Sequence, residues 1–165
     1  MPGDPPMNKQ KGITAIELIT AIAIAGILTA VGWPVFNHMV ARRQVVNGVN
    51  VVKSTLDVAN SRAIANPRVH CGVYFDVDAK PPRMTVFFDD IYNNKYDPGY
   101  DRVYLNPVSL DNNVSISIVD MPDDVAIYRG DGSLKYGVKF KIKHNAYANE
   151  KTIEIAKSTG SISVE

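Results

Sequence analysis

The chain has 165 residues, of which 45% are apolar and 21% charged, and its 18 basic and 17 acidic side chains leave a formal charge of +1. This is enough for one ordinary domain, or for one domain with an additional element, and the composition is that of a folded protein. The near-neutral charge gives no support for nucleic-acid binding, and a single cysteine, Cys71, excludes an internal disulfide framework and any multi-cysteine metal site.

The first predicted element is an apolar segment near the N-terminus. It runs from Ile13 to Val31 and contains 19 residues with one charge, that of Glu17. As a helix it would rise about 28 Å, close to the roughly 30 Å hydrocarbon core of a bilayer. Two alternatives to a membrane span are a signal peptide and a buried core helix. A signal peptide usually has a shorter apolar region, followed by a cleavage site with small residues. We predict a single membrane span, with Lys9 and Lys11 weakly favouring a cytoplasmic N-terminus.

Glu17 is the residue of this segment that points to function. A carboxylate inside a bilayer costs several kcal/mol unless it is neutralised or paired. No basic side chain lies within helical reach on the C-terminal side of Glu17. Its partner must therefore come from another chain or from a new N-terminal amine.

The residues around Glu17 form the motif KGITAIEL at positions 11–18, followed by an apolar helix that contains Pro34. This motif resembles the N-terminal motif of prepilins, which type IV pilins and type II secretion pseudopilins share. The resemblance implies that a prepilin peptidase cuts after Gly12 and methylates the new N-terminal residue, Ile13, where the family usually has phenylalanine. The family's glutamate at the fifth mature position falls on Glu17, and its proline at the twenty-second falls on Pro34.

The resemblance also gives the N-terminal segment an order of events. Residues 1–12 are expected to be a leader, whose true start we expect at Met7. Cleavage would create a positive amine on Ile13, which Glu17 of a neighbouring subunit would neutralise, and such a buried pair can set the register of a fibre. Pro34 removes one backbone hydrogen bond and should kink or loosen the helix.

Beyond Pro34 the pattern becomes amphipathic. Apolar residues recur at spacings of 4, 3, 4, 3 and 4, namely Val45, Val49, Val52, Leu56, Ala59 and Ala63. The helix is predicted to occupy residues 13–65, with 13–36 in the membrane, and to end before Pro67 because the residue before a proline avoids the helical region. The apolar stripe can pack on the chain's own downstream domain or form a coiled coil with another chain.

Residues 66–165 are predicted to form a β-rich head. Short runs with β-type patterning lie at Val69–Val77, Met84–Phe88, Val103–Leu105, Val114–Ile118, Val138–Ile142, Ile153–Ile155 and Ile162–Val164. Asp131-Gly132 and Thr159-Gly160 are turn signals between runs. The predicted fold is therefore α+β and pilin-like, with a long N-terminal membrane-spanning helix packed on an antiparallel β-sheet head of seven or eight strands.

Three segments of the chain, residues 59–75, 87–104 and 152–164, resemble the GspH/FimT family of minor pseudopilins and minor pilins. The resemblance implies a low-abundance subunit at or near the tip of a fibre. The leading hypothesis is a structural minor pseudopilin of a type II secretion system, which helps initiate or cap the pseudopilus; the alternative is a minor pilin of a type IV pilus that serves adhesion, motility or DNA uptake. Expected partners are a prepilin peptidase, other pilins or pseudopilins and the inner membrane, with the head in the periplasm.

Six oxygen-bearing side chains in the segment 89–101 could suggest a calcium site: Asp89, Asp90, Asn93, Asn94, Asp97 and Asp101. Calcium takes about six to eight oxygen ligands, but the residue order is not that of an EF-hand. We therefore interpret the segment as an exposed, solvated loop, and we expect no metal or cofactor.

The remaining patterns give no support for catalysis. His70 and Cys71 are adjacent, so in a strand they point to opposite faces and cannot act as base and nucleophile. His38 and His144 are assigned structural or surface roles, and no phosphate-loop or catalytic-triad signature is present, so we predict that the protein is not an enzyme.

A basic run near the C-terminus is the only pattern that suggests DNA binding. Its lysines are Lys135, Lys139, Lys141 and Lys143. Some FimT-like minor pilins are thought to bind DNA through arginines that follow the last glycine, but Gly160 is followed by SISVE. The departure argues against DNA as a partner, and charge pairing between stacked subunits is the plainer use of the lysines.

Overall fold

The structure is a computed structural model that describes residues 14–165. The predicted cleavage and methylation positions, Gly12 and Ile13, lie outside the described residues. The described part of the chain divides into two units, residues 14–37 and His38–Glu165.

One long helix, α1, runs from Ala15 to Ala65. The helix contains Pro34 and continues through it. At the C-terminal end the backbone N–H of Asn66 still donates to the carbonyl of Arg62 at 3.0 Å, and the side-chain amide of Asn66 donates to the same carbonyl at 3.2 Å. Pro67 then stops the helix because it has no N–H to donate.

The head-bound half of α1 buries one face. Its buried residues are Ala41, Val45, Gly48, Val49, Val52, Thr55, Leu56, Ala59 and Ala63. They include all six positions of the predicted stripe, and from Val45 onward the apolar ones belong to the same core cluster as the strands. The stripe therefore packs on the chain's own head, and of the two predicted arrangements this is the one observed.

Eight strands follow α1, and they form two antiparallel sheets. The first sheet has the order β3-β2-β1-β5, and the second has the order β4-β6-β7-β8. The strands are β1 (His70–Asp76), β2 (Arg83–Asp89), β3 (Arg102–Ser109), β4 (Val114–Asp120), β5 (Val125–Tyr128), β6 (Val138–His144), β7 (Glu150–Ile155) and β8 (Ile162–Val164). The fold is thus the predicted α+β arrangement of one long apolar helix packed against antiparallel sheets.

The larger of two apolar core clusters joins both sheets to α1. Phe75 of the first sheet and Phe140 of the second lie with their ring centroids 5.1 Å apart, and both side chains are fully buried. Leu56 of α1 is also fully buried in this core. Burial of a side chain of this size stabilises a protein by about 1.5–3 kcal/mol, so the helix contributes substantially to the stability of the head.

A polar network also ties α1 to the second sheet. The ring Nδ1 of His144 accepts a hydrogen bond from the backbone N–H of Ala146 at 3.1 Å, which leaves Nε2–H to donate to the side-chain oxygen of Gln44 at 3.0 Å. The amide nitrogen of Gln44 in turn donates to the Asp111 carboxylate at 3.3 Å. His144 therefore has the structural role predicted for it.

Candidate functional site

Glu17 takes part in a capping box at the start of α1. The backbone N–H and the hydroxyl of Thr14 donate to Glu17 Oε2 at 2.9 and 2.8 Å, and the backbone N–H of Glu17 donates to Thr14 Oγ1 at 3.4 Å. A Thr followed three residues later by a Glu is the sequence signature of this motif, and it satisfies N–H groups that the first turn would otherwise leave unpaired. The capping role is additional to the assembly role predicted for Glu17, and the T-x-x-E pattern is the signal that could have identified it.

The capping box positions the Glu17 carboxylate without neutralising it. Within residues 14–165, its hydrogen bonds come only from Thr14, and no lysine, arginine or histidine forms an ion pair with it. The hydrogen bonds from Thr14 leave further lone pairs of the carboxylate free. This arrangement can accept a cation supplied by another molecule.

The helix around Glu17 presents apolar side chains in every direction. Residues 14–36 are all exposed, and large side chains such as Ile16, Leu28 and Trp33 are 66–72% exposed. The helix is long and apolar enough to cross a membrane. Inside this stretch the Thr20 hydroxyl donates to the carbonyl of Ile16, and the Thr29 hydroxyl to that of Ala25 at 2.8 Å. Hydroxyls satisfied within the helix are compatible with a lipid environment.

The acidic loop between β2 and β3 is mostly exposed, as the sequence predicts, but the carboxylates at its two ends are buried. Asp89 is fully buried and Asp101 is 8% exposed. The Asp89 carboxylate accepts the backbone N–H groups of Asn93 at 3.2 Å and Asn94 at 2.9 Å. Asp101 likewise accepts backbone N–H groups, and these two carboxylates hold the loop closed.

The outer carboxylates of this loop also have partners. Asp90 forms a two-point ion pair with Arg102 at 2.7 and 2.9 Å, and these hydrogen bonds hold the pKa of Asp90 below its usual value. The Asp97 carboxylate accepts the side-chain amide of Asn93 at 2.6 Å. No group of three or more His, Cys, Asp or Glu side chains in residues 14–165 is arranged to hold a metal ion. The geometry uses these oxygens to shape the loop.

Replacing Asp89 by asparagine should loosen this loop. The substituted amide can accept only one of the two backbone N–H groups and turns a donor toward the other, which should cost about 1–3 kcal/mol. Hydrogen exchange at the amides of Asn93 and Asn94 should accelerate accordingly. Asp120→Asn is the matched control, because Asp120 is exposed. Equal protection of the two amides in both variants would contradict the structural role of Asp89.

Cys71 and His70 lie as predicted, with the thiol inside the core. Cys71 is fully buried, and burial raises the pKa of its thiol to about 12. A thiol with so high a pKa is unreactive near neutral pH. The His70 ring instead contacts the edge of Tyr92, with centroids 5.6 Å apart.

The lysines of β6 do not form a continuous basic surface. Lys139 pairs with Glu154 at 2.9 Å and Lys141 with Glu150 at 2.8 Å, both across the β6–β7 ladder. Opposite charges on neighbouring strands stabilise the sheet modestly. Because two of the four lysines of the predicted basic run are paired within the head, a phosphate backbone would have to compete for them.

Comparison with known proteins gives two kinds of similarity. No family model matches the chain. A fimbrial protein of Moraxella nonliquefaciens is 54% identical over 39 residues, which is 24% of this chain and 25% of that protein. A type IV major fimbrial protein FimA of Dichelobacter nodosus is 34% identical over 92 residues, or 51% of this chain and 56% of that protein. The chain thus spans between a quarter and just over half of these curated relatives.

The solved structures include one with the same fold. The minor pseudopilin EpsH from the type 2 secretion system of Vibrio cholerae matches with a TM-score of 0.55 at 14% identity. The match covers 74% of this chain and 96% of that one. At this identity the likeness shows the fold, and it supports the predicted pilin-like arrangement.

Proposed function

We propose that this chain, a pilin-like protein of the GspH/FimT kind, is a structural minor pseudopilin of a type II secretion system that helps initiate or cap the pseudopilus. The observation that carries the proposal is the combination of an EpsH-like head with an apolar helix that holds a carboxylate near its first turn. The relatives and the structural neighbour are pilins and pseudopilins, which are structural proteins and not enzymes.

The assembly step follows from the chemistry of Glu17. A prepilin peptidase would cut after Gly12 and methylate Ile13, which leaves a positive amine next to Thr14. In the membrane, that amine and the Glu17 carboxylate of a neighbouring subunit are both poorly solvated, so they attract each other strongly. The capping box holds Glu17 in one orientation before the neighbour arrives, which lowers the entropy lost when the pair forms.

The helix and the head have different roles in the proposed function. Residues 13–36 would anchor the subunit in the inner membrane, with the head in the periplasm. Other pilins or pseudopilins would be its partners in the fibre. The internal pairing of Lys139 and Lys141 gives no support for DNA as a partner.

A minor pilin of a type IV pilus is the second candidate, because several of the relatives are named as type IV fimbrial proteins. The two functions predict different losses in a deletion strain. Loss of the pseudopilin should stop secretion of folded periplasmic substrates and leave surface pili intact. Loss of pili, adhesion or DNA uptake with normal secretion would favour the pilin.

Substitutions at Glu17 separate its charge from its capping role. Glu17→Gln keeps an oxygen that can accept the N–H of Thr14 but removes the negative charge, whereas Glu17→Ala removes both. We expect both variants to insert and to be cleaved, and both to lose most of their copurification with neighbouring pilins. Glu17→Asp keeps the charge and should retain part of the copurification with neighbouring pilins.

One result would contradict the proposed pairing of Glu17 with the N-terminal amine of a neighbouring subunit. If Glu17→Gln assembles as the wild type does and only Glu17→Ala fails, then the residue serves the helix end and not the contact between subunits. The readout is the amount of the variant recovered with crosslinked pilins from membranes, normalised to its own expression.

A further inference from the structure

The exposed face of α1 just beyond the apolar span carries an unusual set of side chains. Met39, Arg42, Arg43, Val46, Asn47 and Asn50 follow one another at spacings of 3, 1, 3, 1 and 3, so they lie on one side of the helix, away from the buried stripe. All six are exposed, and they line a shallow groove of about 380 Å³. We call this face the juxtamembrane stripe.

The juxtamembrane stripe is cationic. Residues 38–56 contain three basic side chains, Arg42, Arg43 and Lys53, and no aspartate or glutamate. Among residues 14–165, neither arginine takes part in an ion pair. Apolar side chains accompany the charges, since Met39 is 50% and Val46 44% exposed. Free guanidinium groups can bind an anionic headgroup, and exposed apolar groups can contact an apolar chain. This surface therefore suits an anionic amphiphile.

The position of the juxtamembrane stripe indicates which amphiphile it would meet. If Phe36 lies at the edge of the hydrocarbon, Met39 is about 4.5 Å and Arg42 about 9 Å further along the helix. The headgroup region on each side of a bilayer is about 5–8 Å thick. The long arginine side chains can reach back into that layer. Lys53, about 26 Å beyond Phe36, lies several Debye lengths from it at physiological ionic strength.

We propose that Arg42 and Arg43 bind the headgroups of anionic phospholipids at the membrane surface where the span ends, with Met39 beside those lipids at the level of the headgroups. This inference rests on the membrane insertion in the proposed function and adds a lipid class to it. Each arginine should enrich anionic lipid beside the helix about fivefold. The contact sets the depth of the unassembled subunit in the bilayer.

The single tryptophan, Trp33, gives the test an intrinsic probe. Its side chain is 66% exposed and lies nine residues before Arg42 on the same helix. The full-length chain is placed in lipid nanodiscs that contain equal amounts of phosphatidylglycerol and phosphatidylcholine, with bromine on the acyl chains of one lipid or the other. Because bromine quenches only nearby tryptophan, the two quenching values report which lipid lies beside the helix.

We expect brominated phosphatidylglycerol to quench Trp33 clearly more than brominated phosphatidylcholine does. The double variant Arg42→Gln/Arg43→Gln should remove that excess. The matched control, Lys53→Gln/Lys157→Gln, loses the same charge from exposed positions farther along the chain and should retain it.

Four outcomes would overturn the inference in different ways. Equal quenching by both lipids in the wild type leaves membrane insertion intact but removes the anionic-lipid site. If the excess quenching by brominated phosphatidylglycerol persists in the double arginine variant, the lipid preference belongs to other residues. If the same variant copurifies less with pilins, the juxtamembrane stripe is a protein contact instead. Absence of quenching by either lipid would overturn the membrane placement in the proposed function as well.

Discussion

A fragment that begins at His38 is expected to be soluble and folded, whereas one that begins at Asn66 should unfold or aggregate. The longer fragment omits the exposed, largely apolar segment 14–36 but keeps the helical segment whose side chains enter the core of the head. The shorter one loses nine buried helix residues, among them Val52 and Leu56, which are both fully buried. Burial of each large one stabilises by about 1.5–3 kcal/mol, against a total of only about 5–15 kcal/mol for a domain.

Circular dichroism and urea unfolding of the two fragments provide the measurement. A matched pair of substitutions in the longer fragment checks the cause, because the truncation also removes polar residues. Val52→Ala should lower the free energy of unfolding by about 2 kcal/mol, while Val46→Ala, at a position that is 44% exposed, should change it little. Equal stability of the two fragments would mean that α1 is not part of the core of the head.

Gly160→Ala is expected to destabilise the head by about 2–4 kcal/mol. Gly160 has a φ of +65°, which disfavours any residue with a side chain. A Cβ at this position would also lie 2.3 Å from the carbonyl oxygen of Gly132 and 3.3 Å from Cε1 of Tyr128. Neither the backbone carbonyl nor the fully buried tyrosine can move without disturbing the turn that leads into β8.

Gly137→Ala is the matched control for this substitution. Nothing lies within 4 Å of the Cβ position at Gly137, and its φ is not in the positive range. The urea midpoint of the control should stay close to that of the wild type while the midpoint of Gly160→Ala falls. Similar midpoints for the two variants would show that the turn at Gly160 relaxes at little cost.

Most of the fold could be predicted because the helix and seven of the eight strands have a recognisable pattern of apolar residues in the sequence. The spacing from Val45 to Ala63 identified the buried face of α1, and alternation identified β1 and β6. The strand β5, Val125–Tyr128, was missed because its four residues are all buried. A short strand that is covered on both faces has no alternation to recognise.

The functional residues could be predicted only in part. A carboxylate inside an apolar span is conspicuous in any sequence, so Glu17 was identified, although its hydrogen bonds to Thr14 were not. The acidic loop is mostly exposed, as predicted, but composition does not reveal that the carboxylates at its two ends turn inward. Asp89 and Asp101 are buried because the returning backbone offers each of them two N–H groups, and that geometry exists only once the loop has closed.

The most direct test of the central claim is the intact mass of the full-length chain extracted from membranes of cells with an active prepilin peptidase. We expect a chain that begins at Ile13 and carries one added methyl group, and a strain without the peptidase should retain the preceding residues. A chain that still carries residues up to Gly12 in the presence of the active peptidase would contradict the claim that this protein is a processed pilin-type subunit.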